Sequence, residues 1–411
     1  MHELHARPFP ELRPGTSIAM VALVTETDAV GKLDELLAHY RAARPAPDAS
    51  HHTVSLGAAV LKWERHSEFV SYTLIREGLA EPPFSSELHD YLPADWLDRA
   101  GQVVSSMLMR IEPGRERTVE PILRELEARF ARESLAVSRL GENGSIAASD
   151  FRLDPNGHVR VALYADERLD PWQLGRTVQR LLELEVYKSM AMLSLPVARA
   201  AATEIAAMET RLTEVMGMLS AGREDDQAML TALLGMSSEM QRLSAATGFR
   251  FSAATAYRSI VDQRLGALDE RRVAGRQLLS DFMSRRFEPA MRTCQSTERR
   301  LAELSERATR ASNLLSTRVN VAAEAQNQAL LDSMNARAEQ QLRLQETVEG
   351  LSVVAISYYA VSLLALALAP FAERVGVDKG WLSAGLAPLV FVTVLAVLRA
   401  TRRKLTGRAR R

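Results

Sequence analysis

The sequence predicts an α+β cytoplasmic domain, followed by a bundle of long helices with a stalk and by a C-terminal two-helix transmembrane hairpin. Three observations support this fold class. Residues 1–190 alternate short apolar runs with amphipathic segments, as mixed domains of strands and helices do. Residues 290–349 contain neither Gly nor Pro, which favours one uninterrupted helix. Residues 351–371 and 381–398 carry no charge and are long enough to be candidate bilayer spans.

The first domain, residues 1–190, is expected to be a largely antiparallel sheet with helices packed on it. Apolar or alternating runs predict seven strands, at residues 17–25, 51–62, 68–76, 103–111, 135–140, 145–153 and 158–164. Apolar residues at helical spacing predict four helices, at residues 30–42, 93–100, 118–133 and 171–192. The turn sequences GENG and DPNG connect the last three strands and favour hairpins.

Residues 191–350 are expected to form a helical bundle and a long stalk helix. Three segments show helical periodicity and are separated by Gly222, Gly248 and Pro289: residues 196–219, 224–246 and 251–287. The stalk, residues 290–349, is rich in Ala, Leu, Arg, Glu and Gln, so a continuous helix there would be on the order of 90 Å long. A helix of that length cannot be buried in one small domain, which indicates that it needs a partner helix.

One side of the stalk helix carries amide side chains at a seven-residue spacing. The residues that share this position are Asn313, Asn320, Asn327, Met334 and Gln341. One interpretation is a polar stripe that lines the axis of an oligomer, where rings of amides contact a hydrated ion. The other interpretations are a solvated face, or buried Asn residues that set the register of a coiled coil. The spacing alone is consistent with all three.

The two uncharged runs predict a hairpin of transmembrane helices. Residues 351–371 form the first span, residues 372–380 a short charged outer loop, and residues 381–398 the second span, with Trp381 at an interface position. The alternative is a buried helical hairpin in a soluble core. Within the first span, Ser352, Tyr359 and Ser362 fall on one side of the helix. Because polar groups facing lipid are costly, this side is expected to face protein or water.

The distribution of charge predicts the orientation of the hairpin. The whole chain has 51 basic and 51 acidic residues, but residues 399–411 contain seven basic residues and no acidic one. Residues 1–398 therefore hold 44 basic and 51 acidic residues, a net charge of −7. A basic tail after the second span predicts that the C-terminus is cytoplasmic, and two spans return the N-terminus to the same side of the bacterial inner membrane. The first fifteen residues contain no apolar signal-peptide core, which agrees.

The sequence contains no recognisable catalytic or cofactor-binding pattern. The balanced overall charge argues against nucleic acid as a partner. Phosphate-binding glycine loops, the H-E-x-x-H zinc motif and the G-x-S-x-G elbow are all missing. The eight histidines end at His158, and the pairs His2 with His5 and His51 with His52 are only weak metal-ligand patterns. The single cysteine, Cys294, lies far from them in sequence. We therefore expect a protein that is not an enzyme and needs no cofactor.

Three stretches resemble an uncharacterised bacterial family of predicted membrane-anchored proteins with a domain of unknown function. They are the opening His2-Glu3-Leu4-His5-Ala6-Arg7-Pro8, with its E-x-H-A-R-P motif, residues 84–96, and residues 351–359 at the start of the first span. The resemblance covers essentially the whole chain. It implies membrane anchoring and implies no activity.

The order of the parts is also similar to that of CorA-type magnesium transporters. In that family a cytoplasmic domain of strands and helices is followed by a bundle, one very long helix that enters the first span, a tiny outer loop and a second span with a basic tail. The resemblance implies a homopentamer whose first span lines the pore. The Gly-Met-Asn tripeptide of those transporters is absent, because Ala369-Pro370-Phe371 and Ala372-Glu373-Arg374 stand at the matching positions. That departure argues against magnesium selectivity.

Two functions are therefore expected from the sequence. The first is a CorA-like homo-oligomeric cation channel or transporter, or a non-conducting relative, with divalent cations as candidate cargo. Its candidate axial residues are those of the stalk stripe together with Ser352, Tyr359 and Ser362. The alternative is a membrane-tethered cytoplasmic scaffold or sensor without transport activity. Both have the lipid bilayer as a partner.

Overall fold

The computed structural model describes residues 9–24, 28–114, 118–141, 143–221, 226–375 and 378–408. The chain divides into two compact units, Met1–Asn313 and Leu314–Arg411. The first unit is an α+β domain with long helices, and the second consists of the remainder of one of those helices and a C-terminal helix. The order of α+β domain, long helices and C-terminal apolar helix agrees with the predicted fold class.

The first unit is built around one sheet. Within the described residues the sheet has nine strands, in the order β2-β3-β4-β1-β5-β8-β7-β6-β9. The strands are β1 (Thr16–Val24), β2 (His51–Leu56), β3 (Ala59–Arg65), β4 (Phe69–Glu77), β5 (Gln102–Pro113), β6 (Ala136–Leu140), β7 (Ile146–Ser149), β8 (Val159–Ala165) and β9 (Glu270–Arg272). Neighbours pair antiparallel except β5 and β8, which pair parallel. The prediction of a largely antiparallel sheet is confirmed.

The sheet consists of two halves with the same order of elements. Each half is a strand, a helix and then three consecutive strands: β1, α1 (Ala29–His39) and β2 to β4, followed by β5, α3 (Val119–Arg129) and β6 to β8. In each half the first strand lies beside the last, and the two first strands, β1 and β5, pair in the centre. The halves differ in that β1 and β4 are antiparallel whereas β5 and β8 are parallel.

Residues 51–62 do not form the single strand that the sequence predicts. They form part of a hairpin, because the chain turns back between β2 and β3. Leu56 pairs with Ala59, and Gly57 between them has a φ of +79°, a left-handed conformation that glycine adopts without a Cβ penalty. The prediction was wrong because the apolar and polar alternation continues through the turn.

One face of the sheet is covered by short helices. α1 and α2 (Ala94–Ala100) pack on the half that contains β1 to β4, where Leu33, Leu37 and Trp96 are buried. α3 packs on the other half through Ile122 and Leu126. The indole of Trp96 donates a hydrogen bond of 3.0 Å to the backbone oxygen of Lys32, which joins α2 to α1. The apolar surface of this face thus forms two separate clusters, one in each half.

The opposite face is covered by long helices. They are α4 (Pro171–Met192), α5 (Ser194–Ala221), α6 (Asp226–Leu268) and α7 (Leu279–Val375). One apolar cluster contains Met107 and Leu163 of the sheet, Val178 of α4, Val261 of α6 and Met283 of α7. The sheet and the first part of the helical region therefore share one core.

Two predicted helix boundaries and one predicted helix were wrong. Gly248 lies inside α6, and Pro289 lies inside α7. Residues 251–287 are not one helix, because α6 ends at Leu268 and β9 joins the edge of the sheet before α7 begins. A single glycine costs a helix only about 1 kcal/mol, so packing of α6 on α4 outweighs that penalty.

The second unit contains α7 from Leu314 onward and α8 (Lys379–Arg408). The predicted stalk and first span both belong to α7, and the predicted second span belongs to α8. From Val321 to Thr347 every side chain of α7 is exposed. In the apolar parts, Val353 and Ser357 of α7 and Val390 of α8 are buried.

A close approach between α4 and the backbone near Pro10 tests the packing of the domain core. A Cβ at Gly175 of α4 would lie 1.9 Å from the backbone oxygen of Pro10, whereas a Cβ at Gly235 of α6 would meet nothing within 4 Å. We expect Gly175→Ala to lower the free energy of unfolding by roughly 1–3 kcal/mol through overpacking. Gly235→Ala is expected to leave it unchanged or raise it by up to about 1 kcal/mol. Thermal unfolding of the full chain in detergent, followed by circular dichroism, measures both. An equal effect of the two substitutions would contradict the close contact.

Candidate functional site

The structure places all eight predicted axial residues on α7. Asn313 is at the end of the first unit, and Asn320, Asn327, Met334, Gln341, Ser352, Tyr359 and Ser362 are in the second. All of their side chains are exposed. Within this one chain, therefore, their side chains lie on the exposed surface of α7.

Further residues, all of them apolar except Arg337, complete this side of α7 in a heptad pattern. Asn320, Asn327, Met334, Gln341 and Val348 occupy the first heptad position. The fourth position is occupied by Ala323, Leu330, Arg337, Leu344 and Leu351. Such an alternation of first and fourth positions is the seam by which helices pair in coiled coils. We name the residues of these two positions, from Asn320 to Leu351, the α7 seam. The sequence reasoning identified its amides and missed its leucines.

Ser352, Tyr359 and Ser362 of the first apolar run lie on the side of α7 away from its buried residues. Val353 and Ser357 are buried, and α8 is the other helix of this unit. At 100° per residue, Ser352 and Tyr359 point about 100–160° away from them. Tyr359 is 67 % exposed. The side that carries Ser352, Tyr359 and Ser362 continues the α7 seam.

Among the residues that the structure describes, three helical segments are long and apolar enough to cross a membrane, judged by length and composition. They are Pro171–Ala221, Leu279–Ala369 and Gly380–Ala400, whose most apolar windows have mean hydropathies of 1.2, 2.1 and 2.2. The first window is one-third buried within the structure, whereas the other two are about a tenth or less buried. Membrane association is therefore possible for this chain, and the sequence prediction had included only the last two segments.

A second polar cluster lies at the centre of the sheet, where the two halves meet. Ser106 of β5 places its Oγ 3.1 Å from Nε2 of His89 and 2.8 Å from Nδ1 of His158. The two imidazole rings are stacked with their centroids 4.1 Å apart. Burial, together with the neighbouring His158, lowers the pKa of His89 to about 4, and burial also lowers the pKa of His158. Both rings are therefore neutral at pH 7.

The same junction contains a buried charge network. Arg110 of β5 donates from Nε to Glu112 at 3.0 Å, and Arg129 of α3 donates to the same carboxylate oxygen at 2.6 Å. Burial opposes ionisation of Glu112, but the hydrogen bonds from the two guanidinium groups outweigh it, so the pKa of Glu112 is below its usual value. Arg110 also bonds to Glu81 in the loop after β4. The network attaches that loop and α3 to the sheet.

A third polar cluster lies between the sheet and α4. Lys62 of β3 is buried, lies 3.1 Å from Glu64, and donates 2.9 Å to Oε1 of Gln179 on α4. Gln179 in turn donates 2.9 Å to Glu183, which pairs with Arg264 of α6. The adjoining cavity of about 20 Å³ has room for roughly one water molecule. These residues lie up to two hundred positions apart in the chain, and no local sequence signal brings them together.

The predicted histidine pairs are not assembled into a metal centre in the part of the chain that the structure describes. His51 and His52 are neighbours on β2, and Nε2 of His52 lies 2.8 Å from the backbone oxygen of Ala43. No group of three or more His, Cys, Asp or Glu side chains is placed to hold a metal ion among those residues. His2 and His5 lie outside the described residues.

The comparison with known families decides what this chain is related to. A family model described as "Protein of unknown function (DUF3422)" matches residues 1–405. The chain belongs to this DUF3422 family. The match confirms that the family is one of unknown function, as the sequence resemblance indicated, and it carries no statement about transport or about a scaffold role. A comparison with curated proteins finds no match for this DUF3422 member.

The histidine cluster generates a prediction about pH. Because the pKa of His89 is about 4 in the folded protein and about 6.5 when unfolded, the unfolded state binds the proton more readily between these values. This contribution to stability is complete above pH 6.5 and is lost as pH falls toward 4, by roughly 2–3 kcal/mol in all. We expect His89→Gln to flatten the dependence of the unfolding midpoint on pH between 7 and 4. The control is His39→Gln, since His39 is exposed on α1. An unchanged slope in His89→Gln would contradict the assignment.

Proposed function

We propose that this protein is the subunit of a homo-oligomeric membrane protein that conducts cations along an axis lined by α7, and that it is not an enzyme. The observation that supports this function best is the continuous α7 seam, which leads into the side of the first apolar run that carries Ser352, Tyr359 and Ser362.

Association follows from the exposed apolar residues of the seam. Leu330, Leu344 and Leu351 are 59, 67 and 72 % exposed in a single chain. Burying a leucine contributes about 1.5–3 kcal/mol, so leaving this row in water is costly. A second copy offers the same row in the same register, and a heptad seam is the geometry by which identical helices pair. Polar residues at the first position, such as Asn327, fix the register of such a pairing.

Passage through the membrane is proposed for the last two apolar segments alone. The segment that begins at Pro171 is not proposed as a span, because Leu174, Val178 and Leu182 of α4 are buried in the core against the sheet and are not available to contact lipid. The segments in α7 and α8 keep theirs exposed, as lipid-facing helices do. The seven basic residues from position 399 onward favour a cytoplasmic C-terminus, and two spans favour a cytoplasmic N-terminus.

The chemistry of the axis favours hydrated cations. Amide oxygens of Asn320 and Asn327, repeated in each copy, form rings of neutral acceptors at their two levels of the seam, and Arg337 is the one charged position of the seam. Tyr359 and Ser362 extend hydroxyl groups along the same side of the apolar run. The absence of the Gly-Met-Asn tripeptide argues for a selectivity different from that of magnesium transporters. The alternative function, a tethered scaffold or sensor, uses the same two membrane segments as an anchor and differs in that no ions pass through the protein.

The seam predicts that its leucines control assembly. We expect the paired substitution Leu330→Asp with Leu344→Asp to reduce the oligomer to monomer, because each aspartate would place a charge in a buried seam. Val321→Asp is the matched control, since Val321 is 65 % exposed, similar to Leu344, and occupies the second heptad position outside the seam. Light scattering in mild detergent measures the mass. A wild-type monomer, or equal dissociation by Val321→Asp, would count against the seam.

Ion conduction is tested in proteoliposomes. We expect wild-type protein to pass at least one mono- or divalent cation, and Asn320→Leu or Tyr359→Ala to change the rate severalfold because both remove an axial polar group. The control is Asn335→Leu, the same chemical change at the second heptad position. If no cation passes although the oligomer is intact, the proposal of ion conduction is wrong and the scaffold or sensor function remains. The scaffold predicts in addition that an unrelated hairpin can replace both spans without loss of function.

A further inference from the structure

A cavity of about 370 Å³ lies beside the start of α7 in the first unit. It is lined by Glu133, Ser134, Gln277, Phe282, Arg285 and Arg286. Its volume is within the range of small-molecule sites. Phe282 forms an apolar wall of the cavity. Its ring stacks on Phe151, which lies outside the cavity, with ring centroids 4.3 Å apart. Gln277 donates 2.8 Å to the backbone oxygen of Ser134, which fixes the opposite wall.

The charges around this cavity do not cancel. Glu133 is paired with Arg152 at 2.8 Å, and Asp281 is paired with Arg272 at 2.7 Å. These two carboxylates thus already have an arginine partner, and Glu270 accepts hydrogen bonds from Ser280. Two further guanidinium groups, Arg285 and Arg286, remain in excess, so the surroundings of the cavity carry a net positive charge.

Both of these arginines have donors available. Nε of Arg285 donates 3.3 Å to the backbone oxygen of Asp281, and its two terminal nitrogens make no hydrogen bond in the part of the chain that the structure describes. Arg286 is exposed and makes neither an ion pair nor a hydrogen bond among the same residues. A guanidinium presents a planar fork of donors that matches phosphate and carboxylate oxygens. The two forks at the cavity therefore suit an oxyanion with several acceptor oxygens.

The backbone of α7 does not compete for this role. The first N–H groups of the helix already donate to side chains, Leu278 to Asp281, Leu279 to Ser138 and Ser280 to Glu270, each at 3.0 Å. Recognition of an anion here must come from the arginines, with the positive end of the helix dipole as background.

We propose that this cavity binds a phosphate-bearing small molecule, with Arg285 and Arg286 holding the phosphate and Phe282 contacting its less polar part. The assignment is independent of the α7 seam and of cation conduction. A phosphate can come from a soluble compound or from the headgroup of an anionic lipid, and both offer the same oxygens to the two guanidinium groups. Because binding is electrostatic, it is expected to weaken as ionic strength rises.

The test is titration calorimetry on the full chain in neutral detergent with two probes, inorganic pyrophosphate and dioctanoyl phosphatidylglycerol. We expect saturable binding of at least one probe. Each of Arg285→Gln and Arg286→Gln is expected to weaken it about tenfold or more, since a charge-assisted hydrogen bond contributes about 1.5–3 kcal/mol. Arg292→Gln is the control, because Arg292 is on the same helix, 74 % exposed, and outside the cavity.

The outcomes distinguish a soluble phosphate compound from a lipid headgroup and can overturn the proposed site assignment. Pyrophosphate binding that is lost in both variants and retained in Arg292→Gln supports a soluble ligand. The same pattern with the lipid alone supports a headgroup. No saturable binding of either probe, or equal weakening by Arg292→Gln, overturns the proposal. Unfolding midpoints of the three variants, which are expected to match the wild type because these arginines are exposed, show whether a loss of binding reflects loss of fold.

Discussion

The burial of α4 is the interaction on which the first unit depends. α4 places Leu174, Val178 and Leu182 against the sheet, and the same apolar cluster continues into α6 and the beginning of α7. Polar contacts follow the same path, since Arg264 of α6 pairs with Glu183 of α4. A sheet buries apolar side chains on both faces, and without α4 one face of this sheet would be open to water. The start of the longest helix is therefore held by the core of the sheet domain.

On the face of the sheet that the short helices cover, the two halves meet at buried polar groups. On the face of the short helices, apolar clusters occupy each half, and the junction between them contains the Arg110 and Glu112 network and the histidine pair around Ser106. Buried polar groups require specific partners, so such a junction tolerates only one arrangement of the halves. The buried polar residues at this junction thus specify how the two halves of the sheet pack against each other.

Local patterns in the sequence were sufficient to predict most of the helices and strands and part of the candidate site. Apolar runs indicated β1, β4, β5 and the strands after them, and a seven-residue spacing indicated the amides of the seam. The hairpin at Gly57 was missed because alternation has the same period on both sides of a turn. β9 was missed because three charged or polar residues, Glu270–Arg272, form a strand only when the β6 edge accepts them. The histidine cluster brings together residues 89, 106 and 158, which are far apart in the sequence. Contacts between such distant residues produce no periodic pattern from which they could be predicted.

The position of β9 has a consequence for biosynthesis. β6 is complete at Leu140, yet its partner at the edge of the sheet is not synthesised until residues 270–272. At about 5–20 residues per second this edge waits on the order of ten seconds or more in an unpaired state. An unpaired edge strand is a template for pairing with another chain, and β9 covers part of this edge in the folded domain. The apolar segments after residue 350 emerge later still. The sheet can therefore close before the two apolar segments after residue 350 leave the ribosome.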